Sequence, residues 1–413
     1  MSRGATHGNE ALRASSRFPA LFSPIGVSAA EFRGLARAGR AAAAGRGPAG
    51  PALLLALLLS SCQPRFPGTG PAETPDPAEV PGVSLSLEGA RTPGPVTLLA
   101  CGDVLLSRTV AARIERHGYR WPFRHVRDLV SSADLAFCNL ENPASFVGTP
   151  YPGKPAEVTF RAPPGALFGL KWAGFDAVSL ANNHMSDYGP AAIRETLDYL
   201  DLLGIGRAGA GVDETSARAP AVLETPGGRV AFLAYAEAGW SVVPAGPDRA
   251  GVAPADPARM AEDIAALRRD LRPDYIVVSV HWGEEHERHP GPAQREFGRA
   301  AVDAGAHLVL GHHPHVLQSL ERYRDGLIVY SLGNFVFDMS ADSTYDTAAL
   351  RITLQGARVR AAEILPLRIE RGDYAPRPAS PEEAARILTG LRDGSRLFGT
   401  AVEIEGARGR IDF

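Results

Sequence analysis

Short apolar runs alternate with amphipathic stretches along most of the chain after residue 93. The runs at 275–280 and 307–310 have the length and the branched side chains of buried strands. Between such runs, apolar residues recur every three or four positions, as at Ile193, Leu197 and Leu200, and mark one face of a helix. The alternation predicts an α/β fold in which helices cover a buried sheet.

Capping residues indicate where several of these helices begin and end. Asp256 precedes a proline, and Ser380 precedes a proline with Glu383 at the return position of a capping box, so each predicts a helix start. Gly204 follows an amphipathic stretch and predicts a helix end. Two strand-like runs on either side of Gly356 predict a hairpin near the end of the domain.

The first 93 residues have a different character. Arginines between 33 and 46 precede an apolar run at 51–59, which is shorter than the roughly 20 residues that span a membrane but typical of a signal peptide. The run leads into Leu59-Ser60-Ser61-Cys62, which resembles a bacterial lipobox and implies lipidation of Cys62. We therefore predict a targeting segment at 1–62, whose late position indicates a start codon assigned too early. Residues 63–92, rich in proline and glycine, are predicted to form a tether.

These features predict an exported protein, anchored by lipid to the membrane of a bacterial cell envelope, with one folded domain at 93–413. The formal net charge of −3 gives no basic field for nucleic acid, and the hydrophobic fraction of 45% is ordinary for a globular protein. Cys101 and Cys138 lie in strand-like runs, so we expect small buried side chains there. Whether they form a disulfide stays open, because sequence spacing does not decide pairing.

Polar residues follow the predicted strands directly. In open α/β sheets, the edge at the carboxyl ends of the strands is where ligands bind. The candidates at these strand ends are Asp103, Glu141, Asn183, His184, His281, His313, His315 and Asn334. His313 and His315 are two residues apart and would point the same way in an extended segment, whereas His312 would point away. Imidazoles, an amide and carboxylates without thiolates suit Zn, Mn or Fe.

The order and wording of these segments resemble the CapA family of poly-γ-glutamate capsule proteins over roughly 97–367, and CapA proteins are similar to calcineurin-like metallophosphoesterases. The resemblance implies a four-layer α/β/β/α sandwich with divalent metal (Mn, Zn or Fe) at the strand ends. The metal ligands that it implies are Asp103, Glu141, Asn183, His281, His313 and His315. Leu105 stands where the superfamily's Asp-x-His motif has histidine, so either one ion or two can be expected.

The resemblance also implies roles near the ions. His184 is the expected general acid, and Asp103 is both a ligand and a catalytic residue. Glu284, His286 and Asn334 are expected to contact substrate. Each of these has a plainer alternative: a helix-start hydrogen bond for His184, a solvated loop for Glu284 and His286, and a turn for Asp103 and Asn334. His313 and His315 could likewise have core or supporting roles instead of ligation.

Three functions follow as alternatives. The one that we favour is a CapA-type lipoprotein in capsule or exopolymer biogenesis, which binds an anionic polymer such as poly-γ-glutamate and works with membrane-spanning capsule synthase subunits. The second is a metal-dependent hydrolase of phosphoesters or a related bond. The third is a polymer-binding module without catalysis. A polymer binder should present a basic groove, for which Lys154, Arg161 and Lys171 are the candidates.

Overall fold

The computed structural model describes residues 94–239 and 241–413. The predicted targeting segment, Cys62 and the tether lie outside these residues. The strands are β1 (Val96–Val104), β2 (Leu135–Leu140), β3 (Ala177–Ser179), β4 (Gly206–Ala208), β5 (Ala210–Gly211), β6 (Ala221–Thr225), β7 (Gly228–Ala236), β8 (Gly251–Val252), β9 (Tyr275–His281), β10 (Leu308–His312), β11 (Leu320–Tyr323), β12 (Gly326–Val329), β13 (Asn334–Val336), β14 (Asp346–Leu354), β15 (Val359–Ile369), β16 (Pro376–Pro378), β17 (Glu403–Glu405) and β18 (Arg408–Asp412).

The α-helices alternate with these strands through the first three quarters of the described chain. They are α1 (Arg108–His117), α2 (Arg127–Val130), α3 (Leu167–Ala173), α4 (Gly189–Leu203), α5 (Glu214–Arg218), α6 (Pro257–Asp270), α7 (Pro292–Ala304) and α8 (Pro381–Arg396). Among the helices that the structure describes, none combines the length and the apolar character that crossing a membrane requires.

Sixteen of these strands form two large mixed sheets, and β5 and β8 form a separate two-stranded sheet. The first has ten strands with the main order β17-β18-β15-β14-β1-β2-β3-β4, and β13 pairs with β1 while β16 pairs with β15. Strands β1 to β4 run parallel, whereas β14, β15 and β18 are antiparallel to their neighbours. The second sheet has six strands in the order β11-β12-β10-β9-β7-β6, with β7, β9, β10 and β12 parallel. The predicted α/β class is confirmed.

The two sheets share one apolar core. Phe137 on β2 stacks on Phe232 on β7 with ring centroids 5.0 Å apart, and the buried cluster around them draws on both sheets. The other face of the second sheet packs against α6 and α7, which bury Met260, Ile264 and Phe297. Because the parallel strands of both sheets end at one edge of this core, their carboxyl-terminal residues come together there.

The predicted caps are confirmed. The Asp256 side chain accepts hydrogen bonds from two backbone N–H groups at the start of α6, and Ser380 and Glu383 form a reciprocal capping box at the start of α8. Gly204 ends α4 in the left-handed conformation. Strands β14 and β15 form the hairpin around Gly356. Cys101 and Cys138 are buried free thiols in the described part of the chain.

Candidate metal centre

The carboxyl ends of five strands and the first residue of β13 bring the polar side chains to one place. The first sheet supplies them from β1, β2, β3 and β13, and the second sheet from β9 and β10. Gly102 allows β13 to approach β1 closely: a Cβ there would lie 2.0 Å from the carbonyl oxygen of Gly333. The six predicted ligands that gather at this edge are Asp103, Glu141, Asn183, His281, His313 and His315.

One half of the site is rich in carboxylate. Asp103, Glu141 and His315 each offer a ligand atom, and these atoms lie within 4.8 Å of one another. Nδ1 of His315 is 3.5 Å from Oδ2 of Asp103, and its Nε2 is 3.6 Å from Oε1 of Glu141. Glu141 is fully buried, yet its Oε1 has no hydrogen-bond partner among the described residues. A buried carboxylate oxygen without a partner is costly, so a cation fits this position.

The two carboxyl groups of this half, Asp103 and Glu141, differ in their tendency to ionise. Burial raises the pKa of Glu141 well above its ordinary value, and the neighbouring carboxylate of Asp103 adds to the effect. Burial also opposes ionisation of Asp103, but hydrogen bonds from His312 and His315 outweigh it and hold the pKa of Asp103 well below its ordinary value. Without an ion, the pair therefore favours one charged and one protonated carboxyl group. A divalent cation would favour the charged form of both.

The other half is rich in imidazole. Nε2 of His281 lies 2.9 Å from Oδ1 of Asn183, and the rings of His281 and His313 have centroids 4.6 Å apart. Burial lowers the pKa of His313 to about 4 and holds the pKa of His281 well below its ordinary value. Both rings are therefore neutral near pH 7, which is the state that ligates a metal. Nδ1 of His313 is buried without a partner in the part of the chain that the structure describes.

A frame of amides orients these ligands. Asn139 donates from Nδ2 to Oδ1 of Asp103 at 2.9 Å and to Oε2 of Glu141 at 3.2 Å. Asn182 donates in turn to Oδ1 of Asn139 at 3.1 Å. Outer hydrogen bonds of this kind fix the ligand orientation that a metal site needs. Sequence reasoning did not assign Asn139, although its position two residues before Glu141 on the same strand end was a signal.

His313 and His315 point to the same site, as expected, but the backbone between them is not extended. His313 and His315 have φ values of +96° and +57°, so the segment is a turn and not an extended strand. Their rings still face the same site, with centroids 5.9 Å apart. His312 is fully buried, and its Nδ1 lies 3.1 Å from Oδ1 of Asp103, so it supports the site from behind.

His184 sits in a buried polar pocket beside Asn183. Its Nδ1 is 2.9 Å from Oδ2 of Asp187 and 3.2 Å from Nζ of Lys154, and its ring stacks on Phe160 at 4.0 Å. Burial, reinforced by the nearby ammonium of Lys154, holds the pKa of His184 well below its ordinary value. The Lys154–Asp187 ion pair was missed from the sequence, because the two residues lie 33 positions apart in different loops.

An acidic cleft opens beside the imidazole half, with a volume of about 690 Å³. Four glutamates line it: Glu237, Glu284, Glu285 and Glu287. Of the predicted substrate contacts, Glu284 alone lines this cleft. The side chain of His286 is 45% exposed outside it, and Asn334 is buried behind His315, whose Nδ1 lies 2.8 Å from its Oδ1. Substrate contact by any of the three stays a prediction.

The three candidates for a basic groove do not line the cleft. Lys154 is buried against Asp187, the guanidinium of Arg161 lies over the ring of Tyr188 at 4.1 Å, and Lys171 is on α3. The lining residues described for the cleft include neither lysine nor arginine. The cleft is therefore negative in the absence of a bound cation.

Fold and site together define a mixed α/β protein with a candidate metal centre at the joined carboxyl ends of two sheets. Residues 97–339 match the model of the family described as bacterial capsule synthesis protein PGA_cap. The chain is 32% identical over 284 residues to the capsule biosynthesis protein CapA of Bacillus anthracis, which covers 68% of this chain and 69% of that protein. It is 31% identical over 276 residues to the PGA biosynthesis protein CapA of Bacillus subtilis (strain 168), with coverage of 67% and 72%. This chain belongs to the PGA_cap family.

Among solved structures, the chain is similar to NAD nucleotidase (NadN) of Haemophilus influenzae, with a TM-score of 0.42, 11% identity and coverage of 73% of this chain and 56% of that chain. A hypothetical protein from Thermus thermophilus also has a TM-score of 0.42, with 19% identity and coverage of 66% of this chain and 99% of that chain.

Proposed function

We propose that this chain is a CapA-type protein of capsule or exopolymer biogenesis, acting on an anionic polymer of the poly-γ-glutamate kind through a divalent-metal centre. Family membership and the names of the two CapA relatives support the polymer class. The observation that carries the metal centre is the buried Oε1 of Glu141, which has no hydrogen-bond partner within the described part of the chain and lies 3.6 Å from Nε2 of His315. Capsule synthase subunits are the proposed partners.

The proposed architecture is a four-layer metallophosphatase-like sandwich. Its two inner layers are the sheets that meet at Phe137 and Phe232. One outer layer is α6 and α7, and the other contains α1, α3 and α4, whose buried residues Ile114, Leu170 and Leu200 join the first sheet's core. This architecture supports the centre because it brings the strand ends of both sheets to one edge.

The six strand-end residues suit Mn, Zn or Fe. The proposed ligands of the metal are Asp103, Glu141, Asn183, His281, His313 and His315. When bound, the metal would supply Lewis-acid activation of water and neutralise charge on an anionic substrate. One ion or two can be accommodated by the two halves of the site.

Hydrolysis of a phosphoester or related bond is the second candidate function, and the His184–Asp187 contact favours it. With Nδ1 of His184 held 2.9 Å from Asp187, Nε2 is the ring atom left to exchange a proton with a leaving group. The stack on Phe160 fixes the plane of the ring. If turnover occurs, we propose that His184 transfers a proton through Nε2; to act as the expected general acid it must first take up a proton there, because burial keeps the ring neutral.

We further propose that the domain at 93–413 is held outside the cell membrane by lipid on Cys62 and the tether at 63–92. The order of basic stretch, apolar run and cysteine in the sequence supports this location. Metabolic labelling with a radioactive fatty acid should mark the wild-type chain and leave Cys62→Ser unlabelled. Equal labelling of both would contradict the anchor.

The first test of the centre is elemental analysis of the purified full chain. The wild type should hold Mn, Zn or Fe in stoichiometric amount, and His313→Ala/His315→Ala should lose it. The matched control is His117→Ala/His125→Ala, which removes two exposed histidines and should keep the metal. A wild type that stays empty after incubation with all three metals would contradict the centre. With metal present, assays on phosphodiester and γ-glutamyl substrates separate a hydrolase from an assembly factor.

A further inference from the structure

We propose that Glu285 is an additional metal ligand of this centre, supplied by the loop after β9. The inference rests on the proposed function, because it adds a ligand to the proposed centre. One carboxylate oxygen of Glu285 and one ring nitrogen each of His313 and His315 lie within 4.8 Å of one another. This spacing is close to the roughly 3–4.4 Å that separates ligands bound 2.1–2.2 Å from one ion.

The backbone that follows Glu285 is held in place. The N–H of His286 donates to the carbonyl oxygen of Pro314 at 2.8 Å, which ties the loop to the turn between the two histidines. The carbonyl oxygen of Glu287 accepts a hydrogen bond from Nε2 of Gln318 at 2.8 Å. His286 has φ +66°, a conformation that a side-chain-bearing residue adopts at a cost and that the surrounding contacts must stabilise. The loop therefore presents Glu285 to the imidazoles as a positioned group.

Gly283 anchors the beginning of the loop. Its φ is +82°, and a Cβ there would lie 2.7 Å from Cδ of Gln294, so both the backbone and the available space call for glycine. Its N–H donates to Oε2 of Glu237 at 2.7 Å. The loop thus has fixed contacts at 283, 286 and 287, while the side chain of Glu285 is 51% exposed and can adjust to an ion.

The centre has room for one more ligand. Leu105, which occupies the position of the missing histidine, is fully buried beside Phe160 and Phe337 and cannot ligate. Asp103, Glu141 and His315 then leave the carboxylate half with three ligands. Oε1 of Glu141 has no partner among residues 94–239 and 241–413, which points to a cation beside His315, the residue that the Asp103–Glu141–His315 group shares with the Glu285–His313–His315 group.

A ligand of this kind has a consequence for metal choice. Glu285 would be the third carboxylate of the centre, after Asp103 and Glu141. Carboxylate ligands favour Mn²⁺, whereas imidazole suits Zn²⁺ as well. Loss of the Glu285 carboxylate should therefore weaken Mn²⁺ binding more than Zn²⁺ binding.

The test is calorimetric titration of the chelated, metal-free full chain with Mn²⁺ and then with Zn²⁺, for the wild type, Glu285→Gln and Glu284→Gln. Glu284→Gln is the matched control, because it removes the same charge from the adjacent position of the same cleft. We expect Glu285→Gln to weaken Mn²⁺ binding about 100-fold, the upper part of the range seen when groups that merely support ligands are lost. Glu284→Gln should stay within about threefold of wild type, as expected for a screened charge.

Each outcome bears on a different claim. If both variants bind Mn²⁺ like the wild type, Glu285 is not a ligand and the inference fails while the centre stands. If both weaken equally, the effect is general charge of the cleft, and the ligand assignment is again wrong. If the wild type binds neither metal, the proposed centre itself fails. Circular dichroism in chelator should give the three proteins the same melting curve, since both glutamates are exposed.

Discussion

Replacement of Lys154 by methionine should destabilise the fold, because this ammonium is the electrostatic partner of a buried carboxylate. The side chains of Lys154 and Asp187 are 1% and 0% exposed. Nζ also donates to the backbone oxygen of Asn183 at 3.1 Å and to Oγ of Ser241 at 2.9 Å. One side chain thus ties together three loops around the candidate general acid, and methionine keeps its length without its charge.

The loss of stability depends on the hydrogen bonds that Asp187 retains in the variant. Removing one partner of a buried ion pair costs about 3–5 kcal/mol. Asp187 still accepts the backbone N–H of Phe160 at 2.7 Å and stays 2.9 Å from Nδ1 of His184, so we expect the lower value, about 3 kcal/mol. Burial raises the pKa of Asp187 to about 6 even beside the ammonium. In the variant this pKa rises further, so folded Asp187 holds a proton that the folded wild type has released.

The pH dependence has a definite sign. Above pH 6 the folded variant binds more protons than the folded wild type, so the stability difference between them grows as the pH rises towards 8. Urea unfolding in chelator should show a midpoint about 1 M lower at pH 8, for a slope of about 3 kcal/mol per molar, and a smaller difference at pH 6. Lys171→Met on α3 is the matched control and should change the free energy of unfolding by less than about 0.5 kcal/mol.

Asp187→Asn supplies the second arm of a double-mutant cycle. The combined Lys154→Met/Asp187→Asn protein buries no charge at this position, so its loss of stability should be smaller than the sum of the two single losses by about 1–3 kcal/mol. A loss below about 1 kcal/mol for Lys154→Met at pH 8, or strict additivity in the cycle, would refute the reasoning.

Three further predictions concern other parts of the chain. Leu105→Ala should cost about 2–5 kcal/mol in urea unfolding, because Leu105 is fully buried against Phe160 and Phe337; a loss under about 1 kcal/mol would contradict that packing. Mn²⁺ affinity should rise with pH above 4.5, because burial raises the pKa of Glu141 and its proton must leave before an ion binds. Titrations in two buffers of different ionisation enthalpy should report this proton release. Mn²⁺ binding without proton release would count against Glu141 as a ligand. Ser380→Ala should lower stability by about 1 kcal/mol through loss of the α8 cap, and Ser380→Asp should restore it.

The residues at the strand ends could be predicted from the sequence, because two simple physical rules determine their positions. Apolar runs such as 275–280 must be buried, and the residue that follows a buried parallel strand must reach the sheet edge. Asp103, Asn183 and His281 could be located from these rules alone. Helix starts at Asp256 and Ser380 were equally readable, since capping depends on residues within one turn.

What the sequence could not supply depends on loops that meet in three dimensions. Lys154 reaches Asp187 across 33 residues, and no local pattern encodes that contact. The sequence does not distinguish Glu285 from its neighbour Glu284, because the contacts that hold this loop against the histidine turn, such as the hydrogen bond from His286 to Pro314, join distant parts of the chain. The spacing of His313 and His315 predicted a shared direction through an extended backbone, whereas a left-handed turn produces it.

The charge of the cleft connects the metal centre with the polymer. Four glutamates line the cleft, and the described lining contains no lysine or arginine, so a metal-free site repels a polycarboxylate. Asp103, Glu141 and Glu285 together contribute three negative charges when ionised, and two divalent cations would contribute four positive ones. Metal occupancy would therefore reverse the sign of the field at the inner end of the cleft while its outer rim stays acidic. Under the proposed function, the metal is what makes an anionic chain a ligand at all, and the acidic rim confines that chain to the few residues next to the ions.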